Sequence, residues 1–266
     1  MDSTKRATIR LENLQFRALL YRLVVNLEKS LVVDPSLVFL ESIDSTNLEL
    51  ARLLSTSAKP DLFAVLAAEQ IAGRGRLERS WVSEPGKSIS LSVLLKPTEI
   101  VEQGLVPLFV GSCVARALST ITSKEAGVKW PNDVQIDGRK ICGVLSELTD
   151  QGVIAGIGVN LDSQQGAPET ACAVSDFAGA DFDEVSAMVL AELRAGWLRW
   201  LSEGNEFALG WIRSTSVTIG KRVRAIMPSE KEVVGTAVSI ESDGRLRIEG
   251  SETHLVSAAD VWHLRN

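Results

Sequence analysis

Apolar residues recur every three or four positions at Leu11, Leu14, Ala18, Tyr21 and Val25, which predicts a helix over 11–30. A short strand is expected at 37–41, after Pro35. Asp44, Ser45, Thr46 and Asn47 then open a second helix, with Leu50, Leu53 and Leu54 as its stripe. There Thr46 and Glu49 have the spacing of a capping box. Residues 63–69 read as a buried strand. Over 88–95, Ile89, Leu91, Val93 and Leu95 alternate with Ser88, Ser90 and Ser92. Leu94 breaks the polar phase, so both faces are expected to be covered at that end. A buried helix is expected at 105–122. Strands with tight turns follow at 128–130, 134–136, 141–147 and 153–159, with Asp137 and Gly138 as one of the turns.

Residues 161–180 are irregular and read as a mobile loop, rich in Ser163, Gln164, Gln165, Gly166, Ala167 and Pro168. Asp181 with Glu184 begins a long helix to about Gly204, its stripe running Val185, Met188, Val189, Leu193, Trp197, Trp200 and Leu201. The character changes near 213–216. Beyond it, short β-like runs at 216–225, 232–240, 245–249, 253–257 and 261–264, with a hairpin signal at Asp243 and Gly244, predict a small barrel. The pattern divides the chain into 1–214 and 215–266.

Composition narrows the function classes. The 266 residues are 45% hydrophobic and 23% charged, the mix of an ordinary globular chain. The net charge of −6 argues against a dedicated nucleic-acid binder. Cys113, Cys142 and Cys172 are odd in number and far apart, which reads as buried fillers, not a disulfide framework or zinc site. With two histidines and no HExxH or Cys/His cluster, no soft-ligand metal site is expected. No signal-peptide pattern or long apolar run is evident, so the reading is cytoplasmic, without a membrane.

Two phosphate-binding patterns fail. Gly86–Lys87–Ser88 lacks the earlier glycine of a P-loop, because position 81 is Trp81. Gly156–Ile157–Gly158 lacks the sixth-position glycine of a dinucleotide fingerprint, which here is Leu161. Three other stretches carry chemistry. Gln70–Ile71–Ala72–Gly73–Arg74–Gly75–Arg76, with Arg79 and Trp81, combines glycines that permit close backbone approach with guanidinium forks suited to carboxylate and phosphate; a solvated basic turn reads equally well. Lys129–Trp130–Pro131–Asn132–Asp133 projects Asn132 and Asp133 from a proline-fixed turn, and a hairpin returns Lys140 to the same cavity; an edge-strand charge and a turn former are the bland alternatives. Gly156 and Gly158, two apart on one strand face, leave either a slot for a flat ligand or a β-bulge.

The ordered set of Asp44-Ser45-Thr46-Asn47, Gln70-x-x-Gly-Arg-Gly-Arg, Lys129-Trp-Pro-Asn-Asp with Lys140, and Gly156-x-Gly-x-Asn160 resembles biotin protein ligases over roughly 37–266. The resemblance implies an α/β (α+β) fold with a class II aminoacyl-tRNA synthetase-like core, its mixed sheet flanked by helices, and an SH3-like C-terminal barrel. It implies ATP-dependent activation of biotin to biotinyl-5'-AMP, with Mg²⁺, and transfer to a lysine on the biotin carboxyl carrier domain of a carboxylase. Ser45, Thr46, Asn47 and Gln70 would then hold the ureido ring. Gly73, Arg74, Gly75 and Arg76 would form the closing loop, with Arg74 and Arg76 near the carboxylate and phosphates. Lys140 would meet the biotin carboxylate and the α-phosphate. Gly143, Gly156 and Gly158 would line the biotin slot, and Trp81, Asn132, Asp133 and Asn160 the ATP side. Lys140, Arg76 and Asp133 are the expected catalytic residues.

The sequence departs from the pattern at Leu77–Glu78–Arg79–Ser80, where many relatives continue Arg-Gly-Arg; loop closure is expected to be slower or less ordered. Some relatives carry an N-terminal winged helix, whereas only about 36 residues precede the first expected catalytic strand here, so no DNA partner is expected. The alternatives are a lipoate–protein ligase, a non-catalytic biotin sensor and a nucleic-acid protein, and the chain is expected to be a monomer or weak homodimer.

Overall fold

The computed structural model describes residues 27–76, 79–81, 83–96, 104–164, 166–227, 231–257 and 259–264. The helix expected over 11–30 lies outside them except at its end, where α1 (Glu28–Val33) is found. Asp183 caps its first turn from another element, accepting from the backbone N–H of Lys29 and Ser30 at 2.8 and 2.9 Å. Donors left unpaired at a helix start are thereby satisfied.

The main sheet has seven strands: β1 (Val38–Ile43), β2 (Ala64–Gln70), β5 (Ser88–Leu95), β6 (Ala126–Lys129), β7 (Asp133–Ile136), β8 (Arg139–Thr149) and β9 (Gly152–Asn160). Their order is β1-β2-β5-β9-β8-β7-β6. The β1–β2 pair is parallel and the rest are antiparallel, a mixed sheet. Asp137 and Gly138, with φ of 50° and 74°, make the expected tight turn between β7 and β8. A two-residue pair, β3 (Gly73–Arg74) with β4 (Ser80–Trp81), carries the arginine loop.

Strand alternation assigns the two faces. Ile89, Leu91 and Val93 of β5 join Ala155, Ile157 and Val159 of β9 in the large core, which also takes in α3 (Leu105–Thr122) and α4 (Phe182–Glu203). On the other face, Leu94 and Ile154 pack with Leu50 and Leu54 of α2 (Thr46–Thr56). Leu94 is thus apolar because α2 covers it, as its break in the polar phase suggested. Further along that face come Ser90 opposite Gly158 and Ser92 opposite Gly156. There the sheet is built of small residues, and that is where the site lies.

α3 is long and apolar enough to cross a membrane, but most of it is buried in the core. α4 begins at the expected cap, where the Asp181 side chain accepts from Glu184 N–H. It ends at Gly204, whose φ of 83° breaks the helix before α5 (Asn205–Thr215), an element the sequence did not announce. The three cysteines are free and buried.

After α5, β10 (Arg222–Ile226), β11 (Glu232–Ile240), β12 (Leu246–Glu249), β13 (Thr253–Val256) and β14 (Asp260–His263) form an antiparallel sheet in the order β13-β12-β11-β10-β14. It is tied to the core at the β6–β7 turn. There Trp130 N–H donates to Thr218 Oγ1 at 3.0 Å and the Trp130 indole N–H to the Gly244 carbonyl at 2.9 Å. Thr218 and Trp130 are both buried, so these bonds are shielded from water.

Candidate active site

A cavity of about 270 Å³ opens on the small-residue face and reaches to β14. Fourteen of the sixteen residues singled out in the sequence line it: Ser45, Thr46, Asn47, Gln70, Arg74, Gly75, Arg76, Trp81, Asn132, Asp133, Lys140, Gly143, Gly156 and Gly158. Gly73 does not. Its hydrogen sits where a Cβ would be 2.4 Å from the Trp81 carbonyl, so its role is the close β3–β4 approach. Asn160 does not line it either. It borders a second cavity and donates to the Cys172 carbonyl at 3.0 Å, tying the 161–180 segment to β9. That segment is further held where Lys140 N–H donates to the Thr170 carbonyl and Cys172 N–H to that of Lys140.

At the α2 end the polar groups interlock. The expected capping box is not made: the N-cap is Ser45, without a side-chain cap bond, and Glu49 pairs with Arg52 instead. Gln70 Oε1 accepts from the Thr46 backbone N–H at 2.8 Å and its hydroxyl at 3.1 Å, so a strand supplies the oxygen that Glu49 was expected to provide. The Ser92 hydroxyl lies 2.7 Å from Thr46 Oγ1 and 2.6 Å from Asn47 Oδ1. Asn47 Nδ2 donates to Glu147 at 2.7 Å. Ser92 and Glu147 were missed; the serines of 88–95 were visible as a polar face, but not what they would touch.

Arg74 departs from expectation. It lines the cavity, but its guanidinium is 3.1 Å from Glu147, the carboxylate that holds Asn47. Glu147 is seven residues beyond Lys140 on β8, although the Lys140 ammonium reaches to Gly143, where a Cβ would lie 3.3 Å from it. The ion pair with Glu147 thus holds Arg74 beside the carboxylate that binds Asn47. The slot expected beside the glycines is also partly filled. A Cβ on Gly156 would lie 2.3 Å from Asn47 Oδ1, and one on Gly158 2.5 Å from the Trp81 indole. The glycines are required first by these two side chains.

The other end is charged. Lys140 Nζ is 2.6 Å from Asp133 Oδ1 and 5.6 Å above the Trp81 ring, a cation–π distance. Arg76 Nη1 donates to Asn132 Oδ1 at 3.2 Å, and Asn132 Nδ2 to the Val144 carbonyl at 2.8 Å. The Trp130–Pro131 peptide that sets this turn is cis. Burial pulls the Arg76 guanidinium below its ordinary range, with Asp260 and Asp133 opposing. Arg79 pairs with Asp260 across 181 positions. The sequence concealed that Ala259, Asp260, Val261 and Trp262 of the C-terminal sheet form a wall of this cavity.

A glycine floor covered in part by Asn47 and Trp81, polar groups at one end and interleaved cations and carboxylates at the other suit a neutral ring system joined to an anionic chain. A profile described as Biotin/lipoate A/B protein ligase family matches residues 39–163, and one described as Biotin protein ligase C terminal domain matches 218–264. The biotin–[acetyl-CoA-carboxylase] ligase of Mycobacterium tuberculosis is 35% identical over 233 residues, covering 83% of this chain and 86% of its own. The bifunctional ligase/repressor of Escherichia coli is 30% identical over 229 residues, covering 80% and 69%. The structure of biotin protein ligase from Aquifex aeolicus in complex with biotin and ATP superposes with a TM-score of 0.73 at 30% identity, covering 86% of this chain and 99% of that one. By the extent of these matches, along core and C-terminal sheet alike, the chain belongs to the biotin protein ligase family.

Proposed function

We propose that this cavity joins biotin to ATP as biotinyl-5'-AMP and then gives the biotinyl group to a lysine of a biotin carboxyl carrier domain. The observation that carries the reading is the meeting of Lys140, Asp133, Arg76 and Asn132 beside a glycine floor whose far end is the Thr46–Asn47–Gln70 network. The ureido ring, with its donors and acceptors, belongs in that network, and the biotin carboxylate extends toward Lys140. Attack of a carboxylate oxygen on the α-phosphorus forms the mixed anhydride and expels pyrophosphate. Negative charge grows on the phosphoryl oxygens in that step, and Lys140 with Arg76 is placed to stabilise it.

Mg²⁺ is expected with ATP. Among the described residues no cluster of three His, Cys, Asp or Glu exists. With ATP such an ion would be held mainly by phosphate oxygens and one or two carboxylates, and Asp133 or Asp260, which line the cavity, would supply these. The ion would offset charge on the triphosphate. In the second step the neutral amine of the acceptor lysine attacks the biotinyl carbonyl and AMP leaves. Closure of the arginine loop would keep water from the anhydride until then. We assign residues 1–214 to the catalytic domain and 215–266 to the C-terminal domain, and place the reaction in the cytoplasm.

The test is intact-mass analysis of an acetyl-CoA carboxylase carrier domain incubated with the protein, biotin and Mg-ATP. One biotinyl adduct, lost when the target lysine is replaced, is expected. An adduct with lipoate but none with biotin would overturn the reading.

A further inference from the structure

Among the described residues five cationic side chains line the cavity, and four have partners. Arg74 meets Glu147, Arg76 meets Asn132, Arg79 meets Asp260 and Lys140 meets Asp133. Lys129 is different: among the described residues its ammonium has no hydrogen bond or ion pair, although its side chain lines the same cavity. It ends β6 and is paired in register with Asp133. Burial holds its pKa below the ordinary lysine range, with Asp133 and Asp260 opposing and Lys140 adding to the fall. Its charge reaches His263, whose pKa is pushed down to about 4, first by burial and then by Lys129 and Lys221.

A half-buried ammonium that no carboxylate contacts directly is costly. A lysine kept only for its methylene stem would extend its head into water. This one faces a cavity that another anion must enter. Its place in the sheet says which part of that anion. Gln70 is on β2, the glycines on β9 and β8, Lys140 on β8, Asp133 on β7 and Lys129 on β6. The sheet thus orders the groups from the ring-binding end through the reacting centre to an outer edge. Lys129 stands two strands, about 10 Å, beyond the strand of Lys140. With biotin seated as proposed above, an inorganic tail leaving the α-phosphorus would run toward that edge.

We propose that Lys129 is a ligand of the β- and γ-phosphates of ATP, and so of the pyrophosphate released. The assignment rests on the ligase reading above. In the ground state it helps seat the triphosphate, and on bond cleavage it faces the two charges that gather on the leaving group. His263 stays neutral and adds no second charge there.

The test is biotin-dependent ATP–pyrophosphate exchange with the full chain and Mg²⁺. Lys129→Gln should raise the KM for pyrophosphate on the order of tenfold or more, the worth of a charge-assisted hydrogen bond. Biotin affinity and thermal midpoint should hold, and Lys129→Arg should recover most of the loss. Equal pyrophosphate KM in wild type and Lys129→Gln would overturn the assignment alone. No biotin-dependent exchange in the wild type would sink the ligase reading and this with it. Trace acylation of the wild type needs no variant: magnesium pyrophosphate should slow modification of Lys129, and unaltered labelling would overturn the assignment.

Discussion

Lys140 Nζ and Asp133 Oδ1 lie 2.6 Å apart at the end of a hairpin whose turn is Asp137–Gly138. Both side chains are about one-third exposed, at 36% and 27%, so the pair is only partly shielded. Its Coulomb energy adds little to stability there. Its effect is positional: the carboxylate fixes the ammonium over Trp81, facing the cavity. The resemblance placed Asp133 on the ATP side as a catalytic residue, a role that a base for the acceptor lysine would also fill. In the structure Asp133 is occupied by Lys140, which favours holding the cation during adenylate formation.

These roles separate kinetically. Lys140→Ala should slow adenylate formation on the order of 10²-fold, as loss of a transition-state contact does. Asp133→Asn should slow the same step, measured as pyrophosphate release. If Asp133→Asn released pyrophosphate at the wild-type rate and failed only in transfer, Asp133 would be the acceptor's base and its positioning role would be wrong.

The arginine loop is latched through Arg76 to Asn132 at 3.2 Å. Arg76→Gly should leave a folded enzyme that makes the adenylate but releases it faster, as seen by trapping free biotinyl-5'-AMP. Asn132→Ala should show part of the same leak. Unchanged retention in both would remove the latch from the account.

Much of this was readable before any coordinates. The period-2 run at 88–95 and the apolar runs elsewhere located strands of the main sheet, and three of the charged or glycine-rich stretches converge on one cavity. What escaped reading depends on contacts distant in sequence. Thr46 and Glu49 have capping-box spacing, yet Gln70, 24 positions away, takes the Thr46 N–H. Gly156 and Gly158 signalled missing side chains, but not that Asn47 and Trp81 would fill the gaps. Asp260 resembled any polar residue of a small sheet until β14 placed it against Arg79. α5 was hidden by the change of character near residue 213, which falls within that helix.

The network under the ring-binding end predicts a packing effect. Gly156→Ala would put a methyl 2.3 Å from Asn47 Oδ1 and force that amide off Ser92 and Glu147. The expected cost is about 1–3 kcal/mol in unfolding, with weaker biotin binding. Ser92→Ala, which removes the buried hydroxyl without a clash, should weaken biotin less. Calorimetric titration of both variants checks the order; full biotin affinity in Gly156→Ala would place the ring elsewhere.

His263 gives a pH dependence with a defined sign. Its Nε2 is 3.2 Å from Thr218 Oγ1, the group that accepts from Trp130 N–H. Its folded pKa is about 4, lowered mainly by burial, whereas the unfolded chain titrates near 6.5. Between these values the unfolded state binds the proton and the folded state does not. This contribution is therefore complete above the unfolded pKa and is lost as pH falls from about 6.5 toward 4. After allowance for solvent screening its size is on the order of 1–2 kcal/mol. Denaturant unfolding of the wild type should show a slope over that interval, and His263→Gln should flatten it. The same slope in both would mean that carboxylates elsewhere govern acid sensitivity. Because Thr218 joins His263 to the turn that sets Asn132 and Asp133, adenylate formation should weaken over the same interval in the wild type.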